Sequence, residues 1–261
     1  MNLTDIVNAL CLPDGARVDQ RVPKKLLLEN GAPTAADKRL IADTIEEIQW
    51  VAALKPNTIG VPDYRDELRE YLEIAMLAVT LRSQAVQDKI KPANAARLAE
   101  LVHRAVPYPV LLLLYSGQSM TLSLAHKRWA QNETSKVVLD GDMVSMSLPE
   151  DAPSLDALNA FFQAITLTRQ PRSSLFALYQ DWMDSAQALL AAKVTGMFKA
   201  AEGPEQATIR RHALQECARL ELEATRLRTL ATKEKQLPRQ VELNIALKRV
   251  LVQLAAACEQ L

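Results

Sequence analysis

Residues 103–128, HRAVPYPVLLLLYSGQSMTLSLAHKR, commit the first half of this chain to a β-sheet. Pro107 and Pro109 stop a helix spaced over 93–105 and bias the next residues toward extended backbone. The strand they launch, 109–115, is apolar on both alternating sets of side chains, as in a strand covered on both faces. Gly117 then turns the chain into a second strand over 120–126, which makes a hairpin. The run ends in a polar cluster of Ser123, His126, Lys127 and Arg128.

The flanking segments add to the sheet. Residues 70–82, EYLEIAMLAVTLR, are mostly apolar on both alternations and read as a buried strand. Residues 45–54 read as a strand centred on Ile48 and Trp50. The segments 136–140 and 143–148 are joined at Asp140-Gly141-Asp142, a hairpin signal. A short helix over 3–11 stops at Pro13-Asp14-Gly15. Pro23 argues against a central strand over 19–30, and Asn30-Gly31 marks a turn. Thr34 is the expected N-cap of a helix over 35–44. Residues 1–150 thus read as an antiparallel or mixed sheet with two or three helices.

After Pro149-Glu150-Asp151-Ala152-Pro153 the apolar period changes from two to that of a helix. Ser154 caps a helix over about 155–167, a second covers 173–199, and Gly203-Pro204 breaks the chain again. Ala213, Cys217, Leu220, Ala224, Leu227 and Ala231 then recur at steps of four and three. Beyond Pro238, Leu243, Leu247, Val250, Leu254, Ala257 and Leu261 repeat that spacing. Two such seams across a short break predict an antiparallel, coiled-coil-like helical hairpin over about 205–261. The fold class is therefore α+β: a sheet domain over 1–150, then a helical region over 151–261. Leu220, Leu227, Leu243, Leu247, Val250 and Leu254 are the partner-interface candidates of that hairpin.

Charge excludes a global attraction to polyanions, because 31 basic residues balance 31 acidic ones. Three single cysteines and three histidines give no support to a four-ligand zinc site, and no metal or cofactor is expected. The cysteine usage suits a reducing, cytoplasmic setting. The N-terminal residues lack a signal-peptide pattern, and no apolar run is long enough to span a membrane. No GxxxxGK[ST], GxGxxG or GxSxG motif occurs.

Three chemical readings compete with plainer ones. A metal-dependent nuclease would draw on Glu70, Glu73, His126 and Lys127, with carboxylates on a metal and Lys supporting the attacking water. The acid-x-Lys spacing it needs is missing, and the alternative is strand-edge charge. Ser123 and His126 are three apart, so on a strand they point to opposite faces and do not pair as nucleophile and base. A nucleic-acid-binding module would use Arg21, Lys24, Lys25, Arg210, Arg211, Arg226 and Arg228 on phosphates. The plainer reading of these is a solvated loop and the outer face of a helix pair.

The phrases DQRVPKKLLLENGAPTAADKRLIADTIEEIQWVAALKPNTIGVP, EYLEIAMLAVTLR, HRAVPYPVLLLL and LSLAHKR, with the tail LELEATRLRTLATKEKQLPRQVELNIALKRVLVQL, resemble one bacterial family. It is the family called domain of unknown function 4391. The resemblance covers most of the chain and is weakest over 151–200. Members of that family are often encoded beside helicases and DNA methyltransferases of restriction or phage-defence type. What the resemblance implies is an accessory role in such a system, and it brings no catalytic residues with it. With no complete catalytic constellation and a tail suited to helix pairing, the expected function is a non-catalytic accessory subunit that binds such helicase or methyltransferase partners.

Overall fold

A computed structural model describes residues 3–82, 92–117, 119–130 and 133–261. The chain divides into two compact units, Met1–Ala186 and Gln187–Leu261. The expected boundary near residue 150 lies inside the first of them.

The first unit begins with α1 (Leu3–Ala9), a single 3-10 turn at Asp14–Ala16 and β1 (Arg17–Arg21). Helices α2 (Lys24–Asn30) and α3 (Ala35–Thr44) lead into β2 (Ile45–Leu54). After α4 (Pro56–Ile59), β3 (Tyr64–Arg65) and β4 (Glu70–Tyr71) form a small separate pair. Then come β5 (Ile74–Leu81), α5 (Pro92–Ala105), β6 (Val110–Ser116), β7 (Ser119–Ala130) and β8 (Glu133–Leu148). The unit closes with α6 (Leu155–Ile165), a 3-10 turn at Leu167–Arg169 and the first half of α7 (Leu175–Thr195). Among the described residues, the first 150 positions therefore carry five helices, more than the two or three expected.

The main sheet is six-stranded and mixed, in the order β1-β2-β5-β6-β7-β8. Only β5 and β6 run parallel, and α5 lies between them in the chain. A parallel neighbour needs such a crossover, which is why the apolar helical spacing of Leu98, Leu101 and Val102 falls there. Pro23 follows β1 after Val22, and β1 is an edge strand whose residues are mostly exposed.

Two sequence expectations give way. The segments around Gly141 are not a hairpin: β8 is one strand, paired with β7 from Met120↔Leu148 to Ala130↔Glu133. Because β7 runs on to Ala130, both segments find the same partner. The Asp-Gly step, with Gly141 at φ +75°, lies where the register shifts between Leu124 and His126. The strand expected over 70–82 is also split. Tyr71 pairs with Tyr64 in the small sheet, and the main-sheet strand begins only at Ile74.

One sheet face packs against α2, α3 and α5, burying Ile41, Leu77, Val79, Leu98, Leu112 and Leu114 in one cluster. Thr34 caps α3 as its sequence demands, its Oγ1 accepting from Asp37 N at 3.1 Å. Gly31, at the end of α2, lies against α5. A Cβ there would sit 2.6 Å from Leu101 O and 2.7 Å from Ala105 Cβ. Gly31→Ala is therefore expected to destabilise this unit by about 1–3 kcal/mol through overpacking, read as a lower urea midpoint.

The alternate residues of the same strands, among them Met76, Leu111, Leu122 and Leu124, are buried as well. On their side, Tyr179 of α7 ties the helix to two strands. Its hydroxyl donates to Val110 O at 2.7 Å and accepts from Ala125 N at 2.9 Å. Tyr179→Phe leaves that buried N–H without its acceptor and is expected to cost about 1–3 kcal/mol in chemical denaturation.

The second unit holds the rest of α7, then α8 (Pro204–Lys233) and α9 (Leu237–Cys258). Pro204 opens α8, and Pro238 sits in the first turn of α9, where a missing N–H costs nothing. α8 buries a stripe running from Ala207 through Ala213, Cys217, Leu220, Ala224 and Leu227 to Ala231. α9 packs on α8, with Gln240 Nε2 donating to Ala231 O at 3.2 Å. No residue of α9 is fully buried. Among the described residues, no helix is long and apolar enough to cross a membrane.

Candidate functional site

The polar end of β7 becomes two buried networks on opposite faces of the sheet. Ser123 and Lys127 turn toward α5. Ser123 Oγ lies 2.9 Å from Nε2 of His103, and both residues have no exposed surface. Nδ1 of His103 is buried with no hydrogen-bond partner among the described residues. A buried bare lone pair costs less than a buried unpaired N–H, so Nε2 carries the proton and donates to Ser123. Burial, aided by the charge of Lys127, holds the imidazole down to about 3, so it stays neutral. A serine nucleophile needs the reverse hydrogen bond, an orienting group on the second ring nitrogen and access to substrate. None of these is met here, and the pair is a buried core contact.

Lys127 is 3% exposed, and its ammonium donates to Val106 O at the end of α5. Burial lowers its pKa to about 7. It lines a cavity of about 250 Å³ together with Glu70, Tyr108, Arg128 and Trp129.

His126 turns the other way, toward α7. Gln180 Nε2 donates to Asp184 Oδ1 at 2.9 Å, which leaves Gln180 Oε1 facing the ring at 2.8 Å. His126 Nε2–H therefore donates to Gln180, and Nδ1 accepts from the Tyr71 hydroxyl. Tyr71 has no exposed surface, and burial keeps its phenol protonated. Phe176 stacks on Tyr64 with ring centroids 4.9 Å apart and meets His126 at 5.1 Å. Arg69 lies over the same ring at 5.5 Å and pairs with Asp140 at 2.7 Å. The cluster braces β3 and β4 against α7 and the end of the main sheet. Spacing could not reveal it, because its members come from distant segments.

The residues of the nuclease reading are not assembled. His126 and Lys127 lie on opposite sheet faces. Glu73 is buried and paired with Lys55 at 2.9 Å, and Glu70 pairs with Arg65 at 3.2 Å. Glu70 and Lys127 line one cavity. Among the described residues, no three His, Cys, Asp or Glu side chains are grouped to hold a metal ion.

The basic candidates are scattered too. Arg21 meets Glu47 at 3.5 Å, Lys25 meets Glu29 at 3.5 Å, and Lys24 donates to Ile45 O. Arg226 is paired with Glu223 at 2.8 Å, Arg211 is half-buried and Arg228 is exposed. Arg210 is 4% exposed on the buried stripe of α8. It is withdrawn as a surface phosphate contact, because its helical position faces inward.

The partner-interface candidates are also turned inward. Leu220 and Leu227 are buried on α8. Leu243, Leu247, Val250 and Leu254 are half-buried on the face of α9 that also carries Cys258. Cys258 Sγ lies 3.6 Å from Cys217 Sγ of α8. The apolar surface left open is on the opposite side of α9. There Leu237 is 71% exposed, Val241 50%, Ile245 49% and Val252 64%. These positions, with Lys248, form a second stripe two residues ahead of the first. The positions two residues ahead of the buried stripe on α8 are Gln215, Ala218, Leu222, Thr225 and Thr229, mostly polar and all exposed. α8 is thus apolar on one side and α9 on two.

The sequence profile of the family described as Domain of unknown function (DUF4391) matches residues 10–254. The chain belongs to the DUF4391 family. No curated protein and no solved structure matches this DUF4391 chain. Its fold and surfaces are therefore read from its own residues.

Proposed function

We propose that the protein is a non-catalytic interaction subunit that binds another protein through the outer face of α9. The observation that carries this reading is the two-sided apolar character of α9 beside the one-sided character of α8. A helix apolar on two opposite sides is soluble in its final state only when both are covered. In this reading α8 and α9 form an antiparallel, coiled-coil-like hairpin, and the open stripe takes a partner helix. Lys248, inside that stripe, favours a partner with an acidic residue opposite it.

The setting expected from the family resemblance gives the partner class: a helicase or DNA methyltransferase of a restriction-like defence complex. The buried, self-satisfied polar groups of β7 support a scaffolding role for the sheet unit over a catalytic one. The test is co-purification of the full chain with the helicase and methyltransferase encoded beside it. Capture of either, with loss of capture on altering the open stripe, is the expected result. Recovery of neither, or equal recovery by the altered chain, overturns the reading.

A further inference from the structure

Cys217 and Cys258 bring two thiols together within the second unit. Their sulfurs are 3.6 Å apart although the residues are separated by 41 positions. Cys217 is buried on the inward stripe of α8, and Cys258 is half-buried as the last residue of α9. Ala213 and Ala224 flank Cys217 at helical spacing, and small side chains let two helices approach closely. A disulfide requires an S–S distance of about 2.0 Å. Closing the difference requires movement at the end of α9, where the helix terminates. The third cysteine, Cys11, is exposed in the other unit and takes no part.

We infer that Cys217 and Cys258 form a modification site, which a low-molecular-weight disulfide such as oxidised glutathione converts to an intramolecular disulfide pinning the end of α9 to α8. Cys258, the more accessible, releases its proton to water, and its thiolate attacks one sulfur of the glutathione disulfide. That S–S bond breaks, and one glutathione leaves as thiolate and takes up a proton. Cys217 then releases its proton and attacks the Cys258 sulfur of the mixed disulfide, expelling the second glutathione in the same way. Two protein thiols are oxidised and one glutathione disulfide is reduced to two thiols. Burial first, and the neighbouring Cys258 second, push the Cys217 thiol up, which makes it the poorer first attacker. Its proximity to Cys258 makes it the resolving thiol.

The site is distinct from the open stripe of α9, and its test does not depend on any partner. The full chain is incubated with oxidised glutathione and mapped by mass spectrometry without reduction. The expected product joins the Cys217 and Cys258 peptides, with any glutathione confined to Cys11. Cys217→Ser should trap glutathione on Cys258. Proteolysis at the end of α9 should slow roughly tenfold on oxidation and recover on reduction. The inference is overturned if Cys258 of the unaltered chain keeps its glutathione or stays unmodified, if Cys11 enters the bridge, or if proteolysis is unchanged.

Discussion

Replacing Val241 and Ile245 together by glutamate should abolish partner capture while leaving the protein folded. Both side chains are about half exposed, at 50% and 49%. Exchanging exposed side chains of a helix for glutamate changes stability by only about 0.5 kcal/mol each. At an interface core the same change places two charges against apolar surface, each costing several kcal/mol unless paired. A loss of binding of at least about a hundredfold follows, roughly 3 kcal/mol. Leu247→Glu is the informative contrast. It lies on the half-buried face of α9, so it should lower the stability of the second unit by about 2–4 kcal/mol. Binding by titration calorimetry and thermal melts by circular dichroism separate the two outcomes. A Val241→Glu/Ile245→Glu protein that melts like Leu247→Glu would mean the open stripe packs within the fold. One that binds as tightly as the unaltered chain would remove α9 as the docking surface.

The second large effect concerns acid. His103 is wholly buried and resists protonation until about pH 3. The unfolded chain takes up that proton near the ordinary histidine value of about 6.5. Between those values the unfolded state binds more protons, so stability falls as pH drops through the window. The contribution is complete above the upper limit, and the full span is worth on the order of 4–5 kcal/mol. Asp37 is held down to about 2, chiefly by Arg97 and Thr34, so its own loss belongs to more acid pH. Glu216, Glu223 and Glu234 are held below the usual carboxylate value by Arg219, Arg226 and backbone donors, so they share the acid end, and the histidine is read between about pH 5 and 6.5. His103→Leu should flatten the plot of urea midpoint against pH there, even though it strands Ser123 and lowers stability at neutrality. Lys127 has the same sign in a higher window: its proton is held in the unfolded chain to about 10.5 but released in the fold near 7. Stability therefore rises with pH across that range, and Lys127→Met should remove the rise. An unchanged acid slope in His103→Leu would place the sensitivity elsewhere.

Local signals in the chain were readable where one residue type answers one backbone need. Thr34 and Ser154 cap the helices they were expected to cap, with Ser154 Oγ accepting from Ala157 N at 3.1 Å. The proline pair after α5 and the apolar run to Leu114 mark β6. Reading failed where the answer depended on a distant partner. The Asp140-Gly141 step suits a hairpin turn, and only the length of β7 decides that the chain continues straight. The nearest histidine to Ser123 in sequence is His126, on the other face of the strand. The actual partner of Ser123 is His103, carried in by α5. The outer stripe of α9 was a different kind of miss. Val241, Ile245 and Val252 stand two positions ahead of Leu243, Leu247 and Leu254, so the second period is written in the sequence. A search that stops at one seam per helix passes over it.

By itself, then, the sequence determined where the capped and proline-opened helices begin, that the sheet lies in the first half and helices fill the second, and the apolar period of most elements. Caps, prolines and apolar periods act over a few residues, so they need no tertiary context. The tertiary structure alone decided what lies against each apolar side. It set His103 against Ser123, drew Arg210 inward and brought Cys217 to Cys258. It also left one face of α9 open to solvent. A period shows that a face must be covered; only the packed chain shows whether anything covers it.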